Sequence, residues 1–374
     1  MTRNLPYGHQ AIDEDDINAV ISVLESDWLT TGPKVSEFEL AVCKQVQSDN
    51  AVAVSSGTAA LHAAMFALGI KKGDEVIVPA ITFAATANCI VYQGGTPVFA
   101  DVEPDTLLID CDKAEALITE KTKAIIAVDY AGQPCNYQEL ETITCGYNLA
   151  LVADACHSLG GSYKGRAVGS LADISVFSFH PVKGITTGEG GMVTTDSGIV
   201  ADRMKMFRNH GISTDHSQRS QNGTWYYEMT ELGYNYRLTD FQCALGISQL
   251  NHLNEWVQRR QEIAARYDDA FKDTVEITPL TTRHERTHAY HLYVVKVKDR
   301  NAVFNRLRAE GIGVNVHYIP VHLHPYYRKE FGTHKGQCPI AEEAYKQILS
   351  IPIYPALSDN DVELVIKNIK DVCK

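Results

Sequence analysis

Six short apolar runs, at residues 51–54, 75–78, 98–101, 123–129, 149–154 and 174–179, constrain what this chain can fold into more than any other feature. Most lack the apolar–polar alternation of a strand with one face in water, and helix-like stretches separate them. That pattern predicts an α/β fold: a mainly parallel sheet with helices on both faces. In such sheets chemistry collects beyond the carboxyl ends of the strands. Gly57, Phe83, Asp154 and Lys183 each stand just past one of these runs.

Residues 12–25 carry Ile12, Ile17, Val20, Ile21 and Leu24 at helical spacing, which predicts an amphipathic helix. The sequence Ser55-Ser56-Gly57-Thr58 between a strand and the helix that follows is the arrangement in which free N–H groups face an anion. Residues 192–195 read as another strand and 225–240 as a loop. Thr239 and Gln242 fit a capping box ahead of a long helical region. Beyond it the chain predicts a smaller α+β unit. Its strands are expected at 290–297 and 314–318, and its helices at 302–310, 340–349 and 359–372. The division is expected between a large domain, 1–248, and a small one, 249–374.

A net charge of −12 argues against a nucleic-acid partner that needs a basic surface. No apolar run reaches the length of a membrane span, and the N-terminal residues lack the apolar core of a signal peptide. These features predict a cytoplasmic protein with no membrane partner. Nine cysteines without a CxxC pair predict reduced thiols rather than a disulfide framework or zinc site.

Lys183 follows a strand-like run and His180-Pro181, and precedes four glycines within residues 184–191. Burial at such a position favours the neutral, nucleophilic amine, which condenses with an aldehyde. Pyridoxal 5′-phosphate is the natural aldehyde. Its site also needs a carboxylate for the pyridine nitrogen, a phosphate cradle and a flat apolar surface. Asp154, at the end of an interior run, is the candidate carboxylate.

The segments SSGTAAL (55–61), DEVIVPAITFAATAN (74–88), VADACHSLGG (152–161), FSFHPVKGITTGEGG (177–191) and GYNYRLTD (233–240) resemble the DegT/DnrJ/StrS family of nucleotide-sugar aminotransferases. The resemblance implies the aspartate-aminotransferase type I fold of pyridoxal phosphate-dependent transferases, and a homodimer whose active sites draw on both subunits. It implies that Lys183 is the catalytic, imine-forming lysine and that Asp154 pairs with the pyridine nitrogen. His157 would lie near the ring hydroxyl and Phe83 would stack on the ring. Gly57, Thr58 and Ser178 would cradle the phosphate, which Asn235 would reach from the partner subunit.

Within the family the chain is most similar to the branch acting in pseudaminic acid biosynthesis, through VDYAGQP (128–134) and VNVHYIP (314–320) as well as the lysine segment. That implies L-glutamate as amino donor and a UDP-linked 4-keto-6-deoxy-N-acetylhexosamine as acceptor. Contacts to the sugar nucleotide would come from Tyr7, Asp27, Trp28, Leu29, Thr30, Asn315, Val316, His317 and Tyr318, beside Gly57, Ser178 and Asn235. Alternatives are another 4-keto or 3-keto sugar on UDP or dTDP, a sugar dehydratase, or a non-catalytic member. The dehydratase branch replaces the lysine with histidine, so Lys183 favours the aminotransferase. His288, His291, His317, His322 and His324 lack a metal-ligand pattern with Cys or carboxylate, so no metal is expected.

Overall fold

The computed structural model describes residues 5–214, 219 and 223–374. Its first strands are β1 (Asn50–Val54), β2 (Glu75–Pro79), β3 (Thr96–Ala100), β4 (Thr122–Val128) and β5 (Ala150–Asp154). The two-residue β6 (Ser162–Tyr163) and β7 (Arg166–Ala167) precede β8 (Ile174–Ser178) and β9 (Gly191–Thr195). Seven of these form one sheet in the order β1-β9-β8-β5-β4-β2-β3. Strands β8, β5, β4, β2 and β3 are mutually parallel. Strand β9 pairs antiparallel with both β1 and β8, so β1 runs with the parallel set. The carboxyl ends of six strands therefore share one edge. The runs lack alternation because both faces are covered: Val52, Ile77, Ile125 and Val176 are all wholly buried.

The rest of the chain adds β10 (Ile277–Pro279), β11 (Arg286–Thr287), β12 (Tyr293–Val297) and β13 (Ile348–Ile351). Strands β10, β12 and β13 make a small antiparallel sheet. The apolar core forms two clusters, one around the large sheet and one around the small sheet and the helix Asp359–Cys373. The expected division at 248/249 falls inside the helix Asp240–Leu250, and the first cluster takes in residues well past it, from Leu253 and Val257 to Leu292, Val321, Tyr327 and Ile348.

Several elements differ from the sequence expectation. The first helix spans Glu14–Leu24, started by Asp13, whose carboxylate accepts from Asp16 N–H at 3.0 Å. Its apolar stripe faces outward: Ile17 and Leu24 are 44% and 57% exposed, while Asp16 and Val23 are buried. Asp16 lies inside because Gln249 donates to its carboxylate. The long helical region is two helices, Asp240–Leu250 and Leu253–Phe271, broken at Asn251–His252.

The strand expected at 290–297 begins only at Tyr293. Tyr290 has φ +47°, and its N–H donates to His288 Nδ1 rather than to a neighbouring strand. Residues 314–318 touch a strand only where Asn315 bridges Ser350. Side chains take up the next backbone groups: Val316 N–H donates to Asn315 Oδ1 at 2.9 Å and Tyr130 Oη donates to His317 O. The helix expected at 340–349 ends at Gln347, because Ile348 turns extended and pairs with Lys296 in the small sheet.

Candidate active site

The strand ends and the segment Asn315–Tyr318 enclose a cavity of about 590 Å³. One wall is the start of the helix Gly57–Ala67, which follows β1 directly. Ser56 caps it by accepting from Ala59 N–H at 3.1 Å, and Ser56 O accepts from Ala60 N–H at 3.0 Å. The N–H groups of Gly57 and Thr58 precede any intrahelical acceptor and lie at the cavity. A Cβ on Gly57 would sit 2.8 Å from Ser178 Cβ and 3.3 Å from Cys156 Sγ. Only glycine lets the helix start pack this closely on Ser178, so a side chain there would push apart two walls of the recess. A recess lined by the first N–H groups of a helix and by Ser178 suits the phosphate of pyridoxal phosphate. Gly57→Ala is expected to weaken pyridoxal phosphate binding by about tenfold, from the ~1–3 kcal/mol that forced overpacking costs. Titration of the apoprotein measures it, and unchanged affinity would place the phosphate elsewhere.

Lys183 lies on the hairpin between β8 and β9. The hairpin is held by Phe179 N–H to Gly190 O at 2.9 Å and Thr187 N–H to Phe179 O at 3.0 Å. Its side chain lines the cavity, and burial pushes the ammonium below its ordinary range, with Cys156 and Asp154 pulling the other way. Asp154, at the end of β5, is buried. Its Oδ2 accepts from Thr86 Oγ1 at 2.7 Å, and Thr86 meets Thr82 at 2.7 Å. Its Oδ1 receives only a long bond from Cys156 N–H, at 3.4 Å. A carboxylate gripped on one oxygen and open on the other suits a protonated ring nitrogen.

Phe83 caps the helix Ala84–Tyr92 without a side-chain bond and leaves its ring 60% exposed at the cavity. Tyr318 stands 5.9 Å from it, ring to ring, and contacts His157 Nε2 at 3.2 Å. His157 is buried beside His291, ring centroids 4.4 Å apart. Burial first, then Lys183 and His317, depress the His157 imidazole far below its ordinary range, so it is neutral. Gly132 brings these two segments together. At φ +109° its absent Cβ would meet His157 O at 2.8 Å and Tyr290 N at 2.9 Å. Asp129, buried at the end of β4, anchors the same loop by accepting from Ser158 Oγ at 2.6 Å.

Of the residues singled out from sequence, Tyr7, Gly57, Thr58, Phe83, Asp154, His157, Ser178 and Lys183 meet at this cavity with Asn315, Val316, His317 and Tyr318. Asp27, Trp28, Leu29, Thr30 and Asn235 do not; all are exposed and lie outside it. Sequence reasoning missed Cys156, Thr86 and His291 at the site. Thr82 lies just before the cap of the helix Ala84–Tyr92 and Thr86 in its first turn, so only the Thr82–Thr86 hydroxyl contact brings them together. His317 Nδ1 is engaged by Ser350 and His322 Nε2 by Glu342. Among the described residues no group of three or more His, Cys, Asp or Glu is placed to hold a metal ion. No helix of these residues is long and apolar enough to cross a membrane.

A strand-end lysine, a half-gripped carboxylate and a helix-start recess around one cavity define a pyridoxal phosphate enzyme. The chain belongs to the DegT/DnrJ/EryC1/StrS aminotransferase family, whose model matches residues 10–370. It is 43% identical to the spore coat polysaccharide biosynthesis protein SpsC of Bacillus subtilis, across 99% of this chain and 97% of that protein. The putative sugar aminotransferase Spr1654 of Streptococcus pneumoniae, solved in its PLP-form, superposes with TM-score 0.92 at 34% identity, covering 99% of this chain and 98% of that one. Helicobacter pylori PseC, an aminotransferase involved in the biosynthesis of pseudoaminic acid, superposes with TM-score 0.93 at 33% identity, covering 99% of both chains. The fold is that of the pyridoxal phosphate-dependent sugar aminotransferases, and the chain is such an enzyme.

Proposed function

We propose that this enzyme moves the amino group of L-glutamate to C4 of a UDP-linked 4-keto-6-deoxy-N-acetylhexosamine, as a cytoplasmic homodimer with shared active sites. The observation that carries this reading is the reach of the cavity. It runs from Lys183 and Asp154 out to Tyr7 and the segment Asn315–Tyr318, which gives room for a sugar beyond the cofactor. The likeness to PseC supports this sugar class. The 43% identity to SpsC favours a second reading, a different keto sugar nucleotide destined for a polysaccharide. The outward stripe of Ile17, Ile21 and Leu24 and the exposed Trp225, Met229 and Leu232 support cover by a second copy. Asn235, exposed outside its own cavity, is then free to serve the partner's.

Pyridoxal phosphate, when bound, supplies an aldehyde carbon and an electron-withdrawing ring. The N–H groups of Gly57 and Thr58 with Ser178 Oγ would hold its phosphate, and Asp154 Oδ1 would keep a proton on its ring nitrogen. Phe83 would cover the ring face and keep water from it. Lys183 Nζ, its pKa lowered by burial, takes the proton from the α-carbon of glutamate and later delivers one to C4 of the sugar. Tyr7, His317 and Tyr318 orient the sugar.

Incubation with nitrogen-labelled glutamate and a panel of UDP- and dTDP-linked keto sugars tests the reading by mass spectrometry. Label is expected on the UDP-4-keto-6-deoxy-N-acetylhexosamine. Label only on a dTDP or 3-keto sugar would move the assignment to that acceptor, and loss of water without label would make the protein a dehydratase.

A further inference from the structure

His62 lies on the helix Gly57–Ala67, less than two turns after the phosphate recess, and is buried among aromatic rings. Phe207 and Tyr234 each stand 5.0 Å from it, ring to ring, and Tyr92 stands 5.2 Å away. Gln93 Nε2 donates to His62 Nε2 at 2.8 Å, which leaves the ring proton on Nδ1 to be donated to Tyr236 Oη at 3.2 Å. Burial depresses the imidazole to about 4, in keeping with this neutral tautomer.

Tyr234 and Tyr236 flank Asn235 and stack on each other at 5.0 Å and 15°. Side chains alternate along an extended segment, so two tyrosines on one side put Asn235 on the other, where it is exposed. The backbone is fastened as well. Tyr234 N–H donates to Phe207 O at 2.8 Å, Tyr236 N–H to Arg208 O at 3.0 Å, and Ser55 N–H to Tyr236 O at 2.8 Å. Ser55 immediately precedes the cap of the phosphate helix. The segment carrying Asn235 is thus tied through Tyr236 Oη to the helix that forms its own subunit's recess, and through its backbone to Ser55 just before that helix and to Phe207 and Arg208.

We infer that His62 is a positioning residue acting across the dimer: it holds Tyr234 and Tyr236 so that Asn235 is presented to the partner subunit's cofactor phosphate. This rests on the shared-site reading above. His62 therefore serves a cavity other than the one whose helix it sits on. One helix lines its own recess at its start and steadies the neighbour's through its sixth residue.

Hybrid dimers purified through two different tags test this. The visible absorbance of lysine-bound pyridoxal phosphate arises only from a cavity that retains Lys183. Titrating apoprotein with pyridoxal phosphate therefore reads that cavity alone in a hybrid with Lys183→Ala. His62→Phe fills the cage but loses the Tyr236 bond, and Tyr236→Phe removes only the hydroxyl. Both homodimers are expected to half-saturate at roughly fivefold to tenfold higher cofactor, the scale of one misdirected hydrogen bond. Each, paired with Lys183→Ala subunits, is expected to titrate as wild type, because the Lys183-bearing cavity then receives Asn235 from a subunit with an intact cage. Asn235→Ala paired with Lys183→Ala is expected to recover in the same way.

If the Asn235 hybrid recovers and both cage hybrids stay weak, His62 acts within its own subunit and the inference is overturned alone. If the Asn235 hybrid also stays weak, the shared-site reading fails and takes the inference with it. Wild-type titration of both cage homodimers would likewise overturn it. Circular dichroism melting keeps a folding defect in one cage variant from being read as a binding defect, with the other variant as the check.

Discussion

Lys183→Ala is expected to abolish amino transfer, by on the order of 10⁴-fold or more, and to remove the visible absorbance of lysine-bound cofactor. Two losses combine: the amine that links to the aldehyde, and the base that carries the proton, itself worth ~10²–10⁴-fold. The substitution leaves the hairpin standing, because its bonds run through the backbone of Phe179, Thr187 and Gly190. Absorbance spectra and single-turnover measurements with glutamate check both losses. Retention of the visible band would transfer the role to another group. The same residue sets a pH dependence. A lysine lowered by burial becomes neutral at a pH below its ordinary 10.5. The rate at which apoprotein develops the band should therefore rise with pH and level off below that value. A limb centred at 10.5 or above would mean a solvated ammonium.

Asp154→Asn is expected to lower kcat by roughly 10²–10³-fold while the cofactor stays attached, the scale of removing one buried group aimed at developing charge. Thr86 Oγ1 can still donate to the amide oxygen, so the local fold persists. A neutral amide can no longer keep a proton on the ring nitrogen, and the ring withdraws electrons less well. Steady-state kinetics read beside the melting temperature separate this from damage to β5. Wild-type kcat in the variant would place the nitrogen against a different side chain.

The convergence of residues on one cavity was legible where they sit at strand ends. Gly57, Asp154 and Lys183 each follow a buried apolar run, and a parallel sheet brings such ends to one edge whatever the loops do. The parts that misled did so for physical reasons. The periodicity of Ile17, Ile21 and Leu24 shows that a helix has an apolar face but not what covers it, and this face looks outward. Residues 314–318 have strand composition, yet Asn315 and Tyr130 take over the backbone groups a ladder would need. Ile348 and Leu349 continue an apolar pattern across a helix end, and only their pairing with β12 fixes them as strand. His291 reaches His157 through the close approach at Gly132, a tertiary contact that no local spacing announces.

Strand β9 has a consequence for the order in which the site is built. It pairs with β8 through the length of one hairpin, whereas its pairing with β1 closes a loop spanning most of the first half of the chain. Closing the longer loop is entropically slower and pairing of low contact order comes first. Lys183 can therefore be set in its turn early, while the recess at Gly57 forms only after the β1 edge of the sheet has docked. Added cofactor would then act late in folding, as a clamp on a nearly finished barrel-less sheet rather than as its nucleus.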